Sequence, residues 1–420
     1  MANILGIIAE YNPLHNGHMY HIQKAKELTQ ADYVVAVISG NFTQRGLPAI
    51  INKWEKTKMA LEAGIDLVIE LPTLYSISSA ENFADGAVKV LKELGFVTHI
   101  SFGMEAEDLS ELNNIANVLV EEPEGYVDTL KSELKKGISY PKARQIAIEE
   151  YFNDKAYGKL LSGSNNILAI EYLKAIKKQK AEIIPIGIKR EKVFYNSKKI
   201  IDEFASSTGI RSLMIHNEFD AISKVVPSKT FNVLLENIKS GTYIKGLSSF
   251  ENIIIYKLRT MNKSEIANLP EVSEGLENLI KTAVTTTNSI DTLIAKIKSK
   301  RYTKTKIQRI LLYTLLDITK QDMELAEKIV PYVRVLAASK QGKKLLPNIN
   351  PKTKVITSVK KFETENKNRR LGRMLNIDKQ ASDIYTIGYK KESKAGLDYT
   401  NGLMIKWQIL QNVYNYIKFS

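Results

Sequence analysis

"NILGIIAEYNPLHNGHMYHIQKAKELTQADYVVAVISG" (residues 3–40) places two nearly continuous apolar runs, 3–11 and 32–40, around a segment of helical periodicity. In that segment Met19, Ile22, Ala25 and Leu28 form one stripe. Runs apolar on both faces and joined by a crossover helix predict parallel strands covered on both sides. The alternation continues through "KWEKTKMALEAG" (53–64), "DLVIELP" (66–72), "AENFADGAVKVLKELG" (80–95) and "VTHISFG" (97–103), a β-α-β-α-β-α-β order. The expected fold is therefore α/β with a Rossmann-like parallel sheet. In such sheets ligands lie beyond the carboxyl ends of the strands. Those ends are "EYNPLHNGH" (10–18), "SGNFTQRG" (39–46), "ELPTLYS" (70–76) and "SFGMEAED" (101–108).

Downstream, "SNNILAIEYLKAIKKQ" (164–179) reads as a capped helix, "AEIIPIGIKR" (181–190) as a strand, and "FASSTGIRSLM" (204–214) as a Ser/Thr turn entering a helix. Between about 245 and 345 the pattern is mostly amphipathic helix, including "RYTKTKIQRILLYTLL" (301–316) and "YVRVLAASKQGKKLL" (332–346). A boundary near 240 is expected to divide a catalytic domain, 1–240, from a mainly helical, basic C-terminal region, 241–420.

The 420 residues contain no cysteine, which excludes disulfides, thiolate metal sites and cysteine nucleophiles. No apolar run reaches membrane-span length and the N-terminus lacks a signal-peptide pattern, so a soluble cytoplasmic protein with no membrane partner is expected. The formal charge of +14 points to a polyanionic partner. Residues 351–420 hold 14 Lys and Arg against 6 Asp and Glu, so this stretch alone supplies +8 of that charge.

Three of the five histidines, His15, His18 and His21, fall within seven residues. They can be read as a metal site, as ordinary helix residues, or as a phosphate cradle. A zinc site lacks further ligands in any recognisable spacing, and no metal is expected. The cradle has a mechanism. A tight turn at Pro13 and Asn16-Gly17 ends the strand, and the helix after it directs free N–H groups and its positive dipole end into the crevice. His15 and His18, one turn apart, can both donate to phosphate oxygens, and Gly17 permits close approach.

"HNGH" after a first strand resembles the HxGH signature of the nucleotidyltransferase superfamily, and "SSTGIR" (206–211) resembles its late triphosphate-gripping segment. Over most of the chain, "EYNPLHNGHMYH", "SGNFTQRGLPAIINKWEKTKMAL", "DLVIELP", "FGMEAED", "SYPKARQ", "NNILAIEYLKA" and "RYTKTKIQRILL" closely resemble the bacterial tRNA(Met) cytidine acetate ligase family. That resemblance implies ATP-dependent activation of acetate as acetyl-adenylate. Transfer to N4 of the wobble cytidine of elongator tRNA(Met) would follow, with magnesium accompanying ATP and without acetyl-coenzyme A. It implies an ATP segment of Ile7, Ile8, Ala9, Glu10, Tyr11, Asn12, Pro13, Leu14, His15, Asn16, Gly17, His18, Met19 and Tyr20, in which His15 and His18 bind phosphates during catalysis. Further nucleotide contacts are expected from Gly103, from Asn165 or Asn166, and from Arg190, Ser207, Thr208 and Arg211.

Arg45 and Lys53, read as loop residues facing the crevice, are candidates to hold acetate or a phosphate, with a solvated surface as the alternative. Arg301, Lys304, Lys306 and Arg309 before an apolar helix, and Lys360, Lys361, Lys367, Arg369, Arg370 and Arg373 in the basic tail, are candidates for tRNA phosphates. Two rival functions remain open: adenylyl transfer to a small metabolite, and non-catalytic RNA binding.

Overall fold

The computed structural model describes residues 2–190 and 204–405. The apolar runs form β1 (Ile4–Ala9), β2 (Tyr33–Ser39), β3 (Leu67–Leu71) and β4 (His99–Met104), parallel, with β5 (Ile184–Lys189) parallel to β4. Spatially the order is β5-β4-β1-β2-β3. After β1 the chain steps to one side for β2 and β3, then returns to the other side for β4. The direction of winding therefore reverses between β1 and β4, the switch point where such sheets open a crevice.

Period-two alternation divides each strand between two cores. Ile4, Val35, Val37, Leu67, Ile69, Ile100 and Phe102 pack on one face, against the helices Ala80–Leu94 and Ser164–Lys178. Leu5, Ile7, Val34, Ala36, Ile38 and Val68 pack on the other, against α1 (Asn16–Thr29), α2 (Lys53–Glu62) and the helix Ser207–Ile215. The helix starts follow local chemistry. Asn52 accepts from the N–H groups of Trp54 and Glu55 at the head of α2, a cap worth about 1 kcal/mol. Helix Ala80–Leu94 is capped by Ser79 and stops at Gly95, whose φ of 79° suits glycine.

The segment "YVRVLAASK" departs from the helix expected there. It forms strand β6 (Val333–Ala338), antiparallel to β3, and then turns into a short 3-10 helix, Gly342–Asn348. Val333, Val335, Leu336, Ala337 and Ala338 are all buried, because an inner strand needs apolar residues on both faces. β7 (Val355–Ile356) and β8 (Met404–Ile405) also pair with β6, parallel to it, so the sheet has eight strands among the described residues. The region after 240 is mainly helical, but from Val333 onward the chain rejoins the N-terminal sheet. Residue 240 is therefore not where the sheet's contribution ends. Residues 406–420 of the basic tail lie outside the described residues.

Candidate active site

A cavity of about 300 Å3 opens at the β1/β4 switch point and draws walls from both cores. His15, His18, His21, Ile188, Ala205 and Ser207 come from the α1 face, and Phe83, Phe102, Leu168 and Tyr172 from the opposite face. Glu10 and Gln44 stand at the ends of β1 and β2, and Gly103, Lys189 and Arg190 at the ends of β4 and β5.

The turn from β1 into α1 is tightly held. Tyr11 is buried with a φ of 44°, a left-handed conformation that costs a bulky residue about 1–3 kcal/mol. Asn12 Oδ1 accepts from the Ile50 N–H at 2.8 Å, and the Asn12 carbonyl accepts from Arg211 Nη1 at 2.8 Å. His15 is the residue before α1, and its N–H donates to His18 Nδ1 at 3.2 Å. The two imidazoles stack at 3.7 Å with 26° between planes, and Tyr11 meets His18 edge-on at 5.1 Å. A Cβ on Gly17 would come within 3.0 Å of the His15 ring, so glycine here seats that ring.

All three histidines are neutral at neutral pH. Burial, then Arg190 and Arg211, push His15 down to about 3. Burial and Arg190 push His21 to about 4, against an opposing hydrogen bond with the Ser101 main chain; separately, Ser101 Oγ lies 3.0 Å from His21 Nε2. Burial, then His15, Arg190 and His21, hold His18 well below the usual histidine range. Because His18 Nδ1 accepts a hydrogen bond, its proton sits on Nε2, where it can donate to a ligand. Among the described residues the buried His15 Nδ1 has no hydrogen-bond partner, a position that a bound ligand can satisfy.

The positive charge comes from arginines. Arg190 is anchored by its N–H to the Met104 carbonyl at 3.0 Å, and a Cβ on Gly103 would meet its side chain at 3.3 Å. Arg211 also contacts Thr208 Oγ1 at 3.1 Å, and Ser206 caps the helix through the Gly209 N–H. Of the two asparagines, Asn165 lines the cavity, bonded to Glu105 at 2.6 Å. Asn166 turns away and accepts from the N–H groups of Glu105 and Ala106 at 2.7 and 3.0 Å. Within the ATP segment, Ile7–Tyr11, His15, Gly17, His18 and Tyr20 reach the cavity. Leu14 is buried in the core, Met19 packs against that core, and Asn16 Nδ2 bonds the Lys224 carbonyl.

Two expectations for the crevice are corrected. Lys53 is not a loop residue: it begins α2, is fully buried, and pairs with Glu70 at 2.9 Å and Asp398 at 2.7 Å. Arg45 sits half-buried in the turn after Phe42, where its neighbour Gln44, rather than Arg45 itself, lines the cavity. Several wall residues went unread. Phe83, Phe102, Leu168 and Tyr172 look like core positions in sequence, and His21 falls outside the HxGH pattern.

Among the tRNA candidates, Lys304, Lys360, Lys361, Lys367, Arg369 and Arg370 are exposed. Arg301 pairs with Glu274, Lys306 lies over the Tyr302 ring, and Arg373 pairs with Asp322 at 2.7 Å. Arg309 is corrected: it is buried and held by both Glu271 oxygens at 2.6 Å, so its charge is spent inside the fold. Among the described residues there is no group of three or more acidic or histidine side chains that could hold a metal ion, and no helix long and apolar enough to cross a membrane.

The model of the HIGH Nucleotidyl Transferase family matches residues 2–399. A tRNA(Met) cytidine acetate ligase of Thermoanaerobacter sp. is 46% identical, covering 96% of this chain and 99% of its own. One of Acetivibrio thermocellus is 40% identical over 96% of this chain and 99% of its own. Thermotoga maritima TmcAL, 30% identical, superposes with a TM-score of 0.92 in its apo form and 0.90 when bound with alpha-thio ATP. In both, 96% of this chain and 100% of that one are covered. The fold, the HNGH turn at its switch point and these full-length likenesses make the chain a member of the tRNA(Met) cytidine acetate ligase family of HIGH nucleotidyl transferases.

Proposed function

We propose that this protein is an ATP-dependent ligase that activates acetate and acetylates N4 of the wobble cytidine of elongator tRNA(Met), forming N4-acetylcytidine. The observation that carries the reading is the neutral His15/His18 pair at the head of α1, facing Arg190 in the switch-point cavity.

Acetate cannot acylate an amine directly, because oxide is its leaving group. An acetate oxygen attacks the α-phosphorus of ATP, the bond to the bridging oxygen breaks, and pyrophosphate leaves. His18 Nε2–H, the α1 N-terminus and the arginines stabilise the charge that gathers on it. N4 of cytidine then attacks the acetyl carbonyl and AMP departs. No covalent enzyme intermediate is required, consistent with a chain that has no cysteine. Acetyl-coenzyme A plays no part in this route. Magnesium, if it enters, arrives on the triphosphate: the cavity wall offers it one carboxylate, Glu10, which is not a resident magnesium site.

In this reading the cavity-lining Gly103, Asn165, Arg190 and Ser207 contact the nucleotide, Thr208 and Arg211, which do not line the cavity, close over its triphosphate from the same helix, and the exposed Lys304, Lys360, Lys361, Lys367, Arg369 and Arg370 contact tRNA phosphates in the cytoplasm. Residues 1–240 carry the chemistry and the helical part of 241–420 carries the tRNA. Incubation with ATP, labelled acetate and tRNA, followed by mass spectrometry of the wobble nucleoside, tests it. N4-acetylcytidine in elongator tRNA(Met) is the expected product, and ATP binding without acetylation of any tRNA would overturn it.

A further inference from the structure

The cavity must accept a triphosphate and a carboxylic acid, both anions, yet one wall residue is itself a carboxylate. Glu10 is the sole acidic residue on that wall among the described residues. Leaving it there opposes binding of both substrates, so its retention calls for a task in the reaction.

Its placement is closely controlled. Glu10 Oε1 accepts the Gln44 N–H at 2.7 Å. Behind it, the buried Lys56 on α2 donates to the Glu10 carbonyl at 2.9 Å and to the Ser39 carbonyl at 2.6 Å, clamping the ends of β1 and β2 together. The left-handed Tyr11 fixes the chain immediately after it. Lys53, by contrast, takes Glu70 and Asp398, so Lys56 has main-chain carbonyls where its neighbour has carboxylates.

We infer that Glu10 is the proton acceptor of the transfer step. This rests on the ligase reading above. As the lone pair of cytidine N4 bonds to the acetyl carbon, the bond from that carbon to the phosphate oxygen of AMP breaks. One N4 proton passes to the Glu10 carboxylate, and AMP leaves as an anion. The other basic groups facing the cavity suit this task less well. His15, His18 and His21 are weakened as bases by burial and by Arg190, and Arg190 itself cannot accept a proton. Lys189 is engaged with Glu107, and Lys56 lies behind the cavity wall, where it donates to backbone carbonyls. Lys56 is the positioning residue of this arrangement.

Glu10→Gln keeps an oxygen for the Gln44 N–H while removing the base. Two rates are compared on full-length protein: acetate-dependent ATP–pyrophosphate exchange, and single-turnover transfer to tRNA from synthetic acetyl-adenylate. Transfer is expected to fall by about 100-fold or more, and exchange by less than 10-fold. Glu10→Asp, which restores a carboxylate, is expected to recover part of the transfer rate that Glu10→Gln loses. Thermal unfolding of each variant checks folding, and the exchange rate of the same sample checks that the ATP site is intact. Equal losses in exchange and transfer mean that Glu10 holds a substrate or its cation, and overturn the proposal. So does undiminished transfer in Glu10→Gln, or no recovery of transfer in Glu10→Asp. Wild-type protein without acetate-dependent exchange would instead bring down the ligase reading, and this inference with it.

Discussion

Two clusters of buried polar side chains lie close together in this fold and are finished differently. In the crevice, His15, His18 and His21 are neutral, the first two stacked and His21 hydrogen-bonded to Ser101, and among the described residues one buried nitrogen has no hydrogen-bond partner. Beneath β3, Lys53 and Arg334 meet Glu70 and Asp398 in four contacts of 2.7–3.1 Å, every charge answered by two of opposite sign. The ionic cluster joins α2, β3, β6 and the short helix Leu397–Thr400, segments over 300 residues apart in sequence. The difference separates binding from folding. The histidines that face the cavity are neutral and leave room for a ligand, whereas the ions that join distant segments neutralise one another inside the protein, although Arg334 Nη1 and Asp398 Oδ2 make no hydrogen bond among the described residues.

The largest effect is expected from breaking the completed cluster. Lys53→Met strands two carboxylates on one arginine and should cost about 3–5 kcal/mol of unfolding free energy, read from urea denaturation. A Lys53→Met protein of unchanged stability but lost adenylation would reverse the assignment and return Lys53 to the site. His18→Ala should behave in the opposite sense. Loss of one preorganised donor slows acetate-dependent exchange by about 100–1,000-fold, roughly 2.7–4 kcal/mol of barrier, with little change in the urea midpoint. Comparable destabilisation would show the stack to be structural.

His21 in the crevice and Asp378, a neighbour of the ionic cluster, differ in the sign of their pH response. His21, pushed from 6.5 to about 4, stays neutral in the folded state while the unfolded chain takes up a proton. Stability therefore falls by roughly 3 kcal/mol as pH drops from about 6.5 to 4. Asp378 bonds the Thr73 N–H and the Tyr332 hydroxyl beside the ionic cluster, and burial followed by Glu70 raises it to about 6. The folded state holds that proton more tightly than the unfolded one, so Asp378 adds stability as pH falls from 6 to about 4. Asp378→Asn should thus steepen the acid loss, and His21→Gln should flatten it. Urea midpoints between pH 4 and 7 read both slopes.

The crevice was legible in the sequence and the ionic cluster was not, for a physical reason. A phosphate cradle is built from a strand end, a turn and a helix start, all contiguous in "AEYNPLHNGH". Lys53, Glu70, Arg334 and Asp398 carry no local pattern, because their partners are set by tertiary pairing. The stretch "YVRVLAASKQGKKLL" around Arg334 reads as amphipathic helix, although its β-branched start belongs to a strand. Phe83 and Tyr172 obey the rules of core residues, which they are, and only their position at the end of the sheet makes them a wall.

Asn165 and Asn166 repeat the contrast one residue apart. Asn165 faces the cavity, so Asn165→Ala should raise the KM for ATP several-fold and leave stability within about 0.5 kcal/mol. Asn166→Ala abandons two buried N–H groups and should cost about 1–3 kcal/mol of stability. Equal effects at both positions would erase the distinction.

The smallest expected effects lie on the surface, where the comparison extends to charge. Arg309 and Arg370 both belong to basic stretches, but Arg309 is closed against Glu271, while Arg369 and Arg370 stand in solvent at the start of the helix Arg369–Ile387. If the exposed pair contacts tRNA phosphates, Arg369→Gln with Arg370→Gln releases up to two fewer counterions on binding. The slope of log affinity against log salt should then become shallower by about 1–2, with stability unaffected. Arg309→Gln should leave that slope unchanged and lower the urea midpoint, because Glu271 would keep a partly buried charge without its guanidinium. A salt slope that moved with Arg309 and not with the exposed pair would place the tRNA on a different face of the helical region.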